Sequence, residues 1–226
     1  MKLSIVIPIY NEERTVAELI EKVRAVPLEK QIIVVNDCST DGTKPALASY
    51  EKIPGIVVHH NPVNLGKGSS VRTGFSYAEG DIVAIQDGDL ELDPQEFVKL
   101  IVPIVEGGAD VVYGSRFLDG TRKGTLTFYL ANRLLAVTTN LLYGTRLTDI
   151  ETCYKVLRRD VLQSLTLKAA RFEIEPELTA QLLKRGFRIV ELPIGYQPRS
   201  HSEGKKLSWT DGFAALSMLF KQRIQK

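Results

Sequence analysis

The sequence is poor in several features that mark specialised classes of protein. Its only two cysteines, Cys38 and Cys153, are too few for a disulfide framework or a metal–thiolate cluster, which favours a reducing, cytoplasmic setting. A formal net charge of +2 is too small to indicate nucleic acid as a partner. No apolar run reaches the roughly 18 residues that a spanning helix needs, so no transmembrane segment is expected. The short apolar run at the amino terminus contains Pro8 and is typical of a strand, not a signal peptide.

Two phosphate-binding motifs are also missing. A dinucleotide-binding protein has a glycine-rich turn after its first strand, but residues 8–12 (PIYNE) contain no glycine. The stretch 66–69 (GKGS) superficially resembles a P-loop. However, Lys67 is followed by Gly68 instead of Ser or Thr, and Asn61 occupies the position of the motif's first glycine. Neither motif is therefore predicted.

The first half of the chain alternates strand and helix patterns. Strands are predicted at 3–9, 31–35, 56–59, 81–85 and 110–114, and helical patterns separate them. This alternation predicts an α/β protein with a mostly parallel central sheet and helices on both faces. The 226 residues contain no internal repeat or low-complexity linker. We therefore expect one domain, with a nucleotide-binding half at 1–115 and an acceptor-binding half at 116–226.

Two helix starts are predicted from their capping residues. Asn11 is expected to cap a helix over 12–26, and Asp93 a helix that begins at Pro94. The spacing predicts a buried face for the second helix, formed by Val98, Ile101, Val102 and Val105. In the second half, an apolar helix is predicted over 128–143, with Arg133 among its leucines, and an amphipathic helix over 208–225 at the carboxyl end.

Three carboxylates follow the fourth predicted strand at alternate positions, Asp87, Asp89 and Glu91. Hard cations such as Mg²⁺ and Mn²⁺ prefer oxygen ligands and are commonly held by one or two carboxylates together with substrate phosphates. A solvated acidic turn is the alternative interpretation. Ligands of parallel sheets bind beyond the carboxyl ends of the strands, where the loops after the first, second and fourth strands meet. This placement favours a metal site.

Seven motifs together resemble the family 2 glycosyltransferases. Four of them are SIVIPIYNEE at 4–13, VVNDCSTDGT at 34–43, NLGKGSSVRTG at 64–74 and DGDLELDP at 87–94. Three more are similar to the dolichol-phosphate mannose synthase branch and its bacterial polyprenyl-phosphate relatives, namely GSRF at 114–117, TDIETCYKV at 148–156 and YQPRSHSEGKKLSW at 196–209. The resemblance implies the nucleotide-diphospho-sugar transferase (GT-A) fold.

The resemblance also implies where a nucleoside-diphosphate sugar would bind. It assigns Pro8, Tyr10 and Glu12 to the nucleoside pocket, and Asp37 to a hydrogen bond with the base. A rim aromatic for Tyr10 and a helix cap for Asp37 are the alternative interpretations. Asn36 stands where the family usually has Asp.

The same resemblance makes Asp87 and Asp89 the metal-binding pair, with Asp87 also contacting the donor. Glu91 is a third candidate ligand, at a position that is often Gln in the mannose synthases, and is the weakest of the three. The expected cofactor is Mg²⁺ or Mn²⁺.

Further cations for the diphosphate are expected at Arg116, Arg199 and Lys205. Arginine offers a planar fork to phosphate oxygens, whereas lysine offers a point charge. Arg199 and Lys205 lie on a glycine-bearing loop that suits closure over the bound donor. A solvated basic loop is the alternative for these two residues.

The predicted function is that of an inverting, metal-dependent glycosyltransferase that moves a hexose from a GDP- or UDP-sugar to a polyprenyl phosphate. This acceptor is already anionic and needs no base, so Asp149 would order the acceptor loop or contact the sugar. If the acceptor is instead a hydroxyl group, Asp149 is the expected general base. Two further candidate functions are a nucleotidyltransferase, which would need a glycine-rich loop, and a non-catalytic nucleotide-sugar-binding module. The expected location is the cytoplasm, with a peripheral position on the inner face of the membrane as the alternative.

Overall fold

The computed structural model describes residues 1–120, 124–198 and 209–224. It confirms the α/β architecture, with one sheet that includes strands from both halves of the chain. The strands are β1 (Leu3–Ile9), β2 (Lys30–Asn36), β3 (Ile56–His60), β4 (Ile82–Ile85), β5 (Val111–Ser115), β6 (Lys155–Arg158) and β7 (Ile189–Pro193). Arg199 and Lys205 lie outside the described residues.

The strands lie in the order β3-β2-β1-β4-β6-β5-β7. All neighbouring pairs are parallel except those of β6, which runs antiparallel to β4 and to β5. The predicted mostly parallel sheet is therefore confirmed. The reversed β6 was not predicted, because a short apolar run carries no signal for its direction.

Helices connect the strands. They are α1 (Val16–Arg24), α2 (Thr43–Leu47), α3 (Lys67–Ser76), α4 (Phe97–Leu100), α5 (Val102–Val105), α6 (Leu126–Tyr143), α7 (Arg159–Ser164), α8 (Ile174–Lys184) and α9 (Trp209–Ile224). A 3₁₀ turn over Pro94–Glu96 precedes α4, and the Asp93 side chain accepts a hydrogen bond from the backbone N–H of Gln95, as expected for a cap.

Successive residues of β1 face opposite sides of the sheet and enter different apolar clusters. Ile5 and Ile7 pack in the larger cluster together with Leu19 of α1, whereas Val6 packs in the smaller cluster with Leu162 of α7. Burying each such aliphatic side chain contributes roughly 1.5–3 kcal/mol. Both faces of the central strands are therefore covered by helices, which explains why these strands are almost wholly apolar.

The prediction for the first helix was wrong at its start. Helix α1 begins at Val16, and the predicted cap Asn11 lies in a left-handed conformation with φ of 51°. Its side-chain Oδ1 accepts a hydrogen bond from the backbone N–H of Thr40 at 2.8 Å. Asn11 therefore ties the loop after β1 to the loop after β2 and does not cap the helix.

The predicted face of the helix after Pro94 was also wrong. Val98, Val102 and Val105 are 39%, 42% and 52% exposed, whereas Phe97, Leu100 and Ile104 are buried. The helix is divided into α4 and α5, and Pro103, which has no backbone N–H, lies in the second segment. Phe97, Leu100 and Ile104 are spaced three and four residues apart, so the helical period continues across the break and the prediction chose the neighbouring apolar stripe.

Helices α6 and α9 pack against each other in the second half. Leu135 and Ala136 of α6 and Leu219 of α9 are buried, and the Tyr143 hydroxyl donates to the carbonyl of Leu219 at 2.8 Å. The opposite side of α6 is exposed and apolar along its whole length, at Leu126, Leu130, Leu134, Val137 and Leu141. Within the described residues, the helices are all too short or too polar to cross a membrane.

Candidate active site

A cavity of about 380 Å³ lies at the edge of the sheet where β1, β2 and β4 end. Four of its lining residues are those predicted for the nucleoside, Pro8, Tyr10, Glu12 and Asp37. The carboxyl ends of parallel strands are the usual position of a ligand site in open α/β sheets. The structure thus brings together residues that are well separated in the sequence.

The loops at this edge hold unusual backbone conformations. Among the described residues, the positive φ angles outside glycine belong to Asn11, Cys38 and Leu90, at 51°, 59° and 61°. These residues follow β1, β2 and β4, respectively. Strained backbone is retained where the surroundings enforce it, and it clusters at functional sites. Its position here coincides with the cavity.

Asp37 lines the cavity and also fixes the loop that precedes α3. Its Oδ1 accepts hydrogen bonds from the Asn61 side chain at 2.7 Å and from the Leu65 N–H at 2.9 Å, and its Oδ2 accepts from the Gly66 N–H at 2.7 Å. The residue is nearly fully buried. Asp37 therefore has a structural role in addition to its predicted contact with the base.

The three carboxylates of the acidic loop, Asp87, Asp89 and Glu91, all line the same cavity. Within the described ranges, no three His, Cys, Asp or Glu side chains are arranged as a ready-made metal cluster. Oxygen donors from one or two carboxylates, completed by phosphate oxygens, are nevertheless what Mg²⁺ and Mn²⁺ require. The donor set therefore fits a metal that binds together with its substrate.

A buried chain of alternating charges passes beneath the acidic loop. Lys67 Nζ lies 2.7 Å from Asp87 Oδ1 and 3.2 Å from Glu175 Oε1, and Lys155 Nζ lies 2.5 Å from Glu175 Oε2. Burial alone would lower the pKa of Lys67, but Asp87 and Glu175 outweigh it and raise the pKa well above its usual value. Lys67 therefore stays protonated and presents a fixed cation to the cavity.

Two glycines allow this chain to form. Gly66 has φ of 91°, and a Cβ atom there would lie 2.5 Å from the carbonyl oxygen of Ala170. At Gly68, a Cβ atom would lie 2.7 Å from the carbonyl oxygens of Ala169 and Arg171. The glycines thus serve a close approach between the start of α3 and residues 169–171, which brings Lys67 beside Glu175.

Arg116, another residue that lines the cavity, forms a two-pronged ion pair with Asp149. Arg116 Nε donates to Asp149 Oδ2 at 2.7 Å and Nη2 donates to Oδ1 at 2.8 Å. Burial would lower the pKa of Arg116, but the adjacent carboxylate raises it above its usual value. The Asp149 side chain is fully buried, so it lies behind Arg116, which lines the cavity.

Aromatic rings surround the guanidinium of Arg116. Its Cζ lies 5.3 Å from the centre of the Phe128 ring and 5.4 Å from those of Phe117 and Tyr196. Contacts of this kind are worth roughly 0.5–2 kcal/mol each. Together with Asp149, the rings hold the cation at a defined place in the cavity wall.

Glu151 also lines the cavity, and its Oε1 is buried without a hydrogen-bond partner among the described residues. Removal from water is the main reason why the pKa of Glu151 is raised to about 7. Lys155 and Arg116 work in the opposite direction, and Glu175 and Asp149 add to the rise. This carboxyl group therefore changes charge near neutral pH.

Several residues of the cavity were missed or undervalued in the sequence. Lys67 was considered only as part of a failed P-loop, and Glu175, Phe128 and Tyr196 had no predicted role. The signal for Lys67 is its place between two glycines. Glu175 gives no local signal, because its importance comes from Lys67 and Lys155, which are 108 and 20 residues away in the sequence.

Comparisons with known proteins agree with this geometry. The model of the family "Glycosyl transferase family 2" matches residues 4–166. A dolichol-phosphate mannosyltransferase of Pyrococcus furiosus is 30% identical over 91% of this chain and 59% of its own length. A polyprenol monophosphomannose synthase of Mycolicibacterium smegmatis is 31% identical over 86% of this chain and 77% of its own length. The chain thus spans 59% of the length of the first of these relatives. It spans 51% and 62% of the lengths of two other curated relatives.

A solved structure shares the fold. Glucosyl-3-phosphoglycerate synthase of Mycobacterium tuberculosis, crystallised with Mn²⁺, UDP and phosphoglyceric acid, matches with a TM-score of 0.77 at 23% identity, over 100% of this chain and 79% of that one. The likeness supports the predicted GT-A fold. With the family model covering most of the chain, the protein belongs to glycosyl transferase family 2.

Proposed function

We propose that this protein transfers a hexose from a nucleoside-diphosphate sugar to a polyprenyl phosphate, with inversion at the sugar carbon. One observation carries the proposal. A single cavity is lined by two groups that suit phosphate, an acidic loop with a fixed lysine, which we call the donor end, and a buried arginine among aromatic rings, which we call the acceptor end. This arrangement suits two phosphate groups, one that leaves and one that attacks, on either side of the sugar. The curated relatives named above support the acceptor class.

The donor binds along the edge of β1, β2 and β4. Pro8, Tyr10 and Glu12 enclose the nucleoside, and Asp37 accepts a hydrogen bond from the base. Lys67 lies beside the diphosphate and offsets part of its negative charge. The donor is a GDP- or a UDP-sugar, and the donor screen described below distinguishes the two.

Asp89 and Asp87 hold Mg²⁺ or Mn²⁺, and Glu91 is the weakest candidate ligand. The ion supplies charge neutralisation for the leaving nucleoside diphosphate when it is bound. Lys67, which pairs with Asp87 at 2.7 Å in the described structure, remains within reach of the diphosphate as a second positive charge.

The acceptor phosphate binds at Arg116. Asp149 orients the guanidinium from behind, so it acts as a positioning residue for the acceptor site. An oxygen of the acceptor phosphate then attacks the anomeric carbon, the bond to the diphosphate breaks, and no proton has to be removed. Proximity and orientation supply much of the rate enhancement in such a reaction.

Transfer to a hydroxyl group is the second candidate function. It would require a general base, and Asp149 is ill placed for this role because its side chain is fully buried and both oxygens pair with Arg116. The observation that keeps this candidate open is Glu151, a cavity carboxyl whose pKa is about 7.

The exposed apolar side of α6 suits contact with a lipid surface. Leu126, Leu130, Leu134, Val137 and Leu141 form this side, which we call the α6 stripe. Phe128 and Asn132 on the same helix contact Arg116. A membrane at the α6 stripe would bring the acceptor phosphate close to the cavity while the isoprenoid chain stays in lipid.

The decisive experiment offers GDP-mannose and UDP-hexoses, each with Mn²⁺ or Mg²⁺, together with a polyprenyl phosphate or with hydroxyl acceptors. The expected result is a lipid-linked sugar with one donor class. Donor binding is found first by thermal shift, because a ligand of the native state raises the melting temperature. Product formed only on hydroxyl acceptors would refute the proposed acceptor. If the protein binds the donor but releases no nucleoside diphosphate, it is a non-catalytic nucleotide-sugar-binding module.

A vesicle assay tests the α6 stripe separately. Changing Leu134 and Leu141 together to Glu should abolish co-sedimentation with anionic phospholipid vesicles. Changing Val102 and Val105 to Glu is the matched control, since these residues are exposed on a different helix. Equal sedimentation of the two variants would rule out the α6 stripe as the membrane contact.

A further inference from the structure

The acceptor end of the cavity contains an acid that the proposed transfer does not use. Glu151 lines the cavity with Arg116, and its buried Oε1 has no hydrogen-bond partner in the part of the chain that the structure describes. A buried carboxylate oxygen without a partner is costly. Such a group is retained where it meets a ligand or where it carries a proton.

The cations near Glu151 are already engaged. Arg116 is in its ion pair with Asp149, and Lys155 donates to Glu175 and to the carbonyls of Ile150 and Thr152. The other charged groups that influence Glu151 are the carboxylates Glu175 and Asp149, which oppose its ionisation. Glu151 therefore lacks a cation of its own, which favours the protonated, neutral form.

A neutral carboxyl group and an ionised one treat a phosphate in opposite ways. The protonated acid can donate a hydrogen bond to a phosphate oxygen, whereas the carboxylate only accepts and repels the anion. Arg116, in the same wall, supplies the positive charge. An acid that lines the same cavity as an arginine thus makes a site that accepts a phosphate at low pH and rejects it at high pH.

We propose that Glu151, as the protonated acid, donates a hydrogen bond to the acceptor phosphate held by Arg116 and is a specificity residue for that acceptor. The inference rests on the proposed function and extends it to a residue outside the predicted site. It concerns binding only, so the transfer step keeps the same bonds and needs no proton from Glu151.

The test compares wild type with Glu151→Gln, which keeps an N–H donor at every pH. In the wild type, the KM for polyprenyl phosphate should rise above pH 7, approaching roughly tenfold per pH unit for one linked proton. In Glu151→Gln this rise should be absent, while the donor KM matches wild type. Calorimetry with farnesyl phosphate, a short water-soluble acceptor, should give the same difference in Kd. Glu106→Gln, at an exposed position, is the matched control and should behave as wild type.

Three outcomes would overturn the inference. If the KM for polyprenyl phosphate depends on pH in the same way in wild type and Glu151→Gln, Glu151 has only a structural role. A change confined to the donor KM would place Glu151 at the sugar. Loss of kcat with hydroxyl acceptors, and no lipid-linked product from wild type, would make Glu151 a general base. The last result is seen with wild type alone, so it distinguishes failure of the proposed function from failure of this inference. If Glu151→Gln does not fold, Glu151→Asp should weaken farnesyl phosphate binding at low pH while the pH dependence persists.

Discussion

The donor end and the acceptor end, the two phosphate-binding groups that we propose for the cavity, surround their cations in different ways. At the donor end, Lys67 lies in an alternating chain of charges with Asp87, Glu175 and Lys155, so its charge is balanced on both sides. At the acceptor end, Arg116 has one carboxylate partner, a neutral amide acceptor in Asn132 and aromatic rings around its guanidinium. The donor end suits a highly charged ligand with a metal, whereas the acceptor end suits a single phosphate attached to an apolar chain.

The largest effect is expected at the donor end. Asp89→Ala should reduce transfer by roughly 10³-fold or more, because the carboxylate proposed to hold the metal is lost. The folded state should persist, as measured by thermal unfolding. Asp93→Ala is the matched control in the same loop: it should cost about 1 kcal/mol of stability as a lost cap yet keep activity. Full activity of Asp89→Ala, or of wild type in excess chelator, would contradict the proposed metal dependence of the transfer.

The next effect is a loss of folding stability when the buried ion pair of the acceptor end is broken. Arg116→Gln leaves the fully buried carboxylate of Asp149 without its cation, and such losses cost about 3–5 kcal/mol. Urea unfolding at neutral pH should show a deficit of this size. Arg24→Gln breaks the exposed pair with Glu21 and should cost less than about 1 kcal/mol. Similar costs for the two variants would mean that the Arg116 pair is not desolvated.

Glu151 gives the acceptor end a pH dependence that is visible in stability. In the unfolded chain the carboxyl ionises near its usual pKa of 4.5, but in the folded protein it keeps its proton to about pH 7. The folded state thus binds more protons between these values, so this group lowers stability as pH rises through that window. Glu151→Gln should match wild type below pH 4.5 and exceed it by about 1–3 kcal/mol above pH 7. Urea unfolding across this range measures the difference, and a constant offset would contradict the pKa shift.

The smallest effect is a change in the KM of one substrate but not of the other. Lys67→Gln should raise the donor KM by roughly tenfold, the loss of one charge-assisted contact, and leave the acceptor KM near wild type. Lys99→Gln, at an exposed position, is the control and should change neither constant. Steady-state kinetics with each substrate varied in turn gives both values. An equal rise in both constants would show that the two ends do not act separately.

Sequence reasoning predicted some residues of each end and missed others, among them Lys67 and Glu175 at the donor end. Residues such as Asp37, Asp87 and Asp89 directly follow predicted strands, so strand order alone brings them to one edge of the sheet. Glu151 and Tyr196 reach the cavity only through packing of the second half, which has no regular period. The fold class followed from the alternation of elements, but the reversed β6 did not.

Local rules failed where tertiary contacts competed with them. Asn11 has the chemistry of a cap, but the neighbouring loop takes its side chain. Val98, Val102 and Val105 have the spacing of a buried stripe, but Phe97, Leu100 and Ile104 have it too, and the second set is the one that is buried. In the first case a tertiary contact decided the outcome, and in the second the sequence offered two apolar stripes one position apart.

The reversed strand β6 brings a second-half loop to the edge of the sheet where the first-half loops end. Because β6 runs antiparallel to β4 and β5, its amino end meets this edge, and the segment 144–154 that precedes it places Asp149 and Glu151 there. If the proposed function holds, the eleven positions of this segment are the first place to introduce variation in a search for new acceptors. Tyr154, whose hydroxyl donates to Gln86 next to the acidic loop, is the position to keep unchanged.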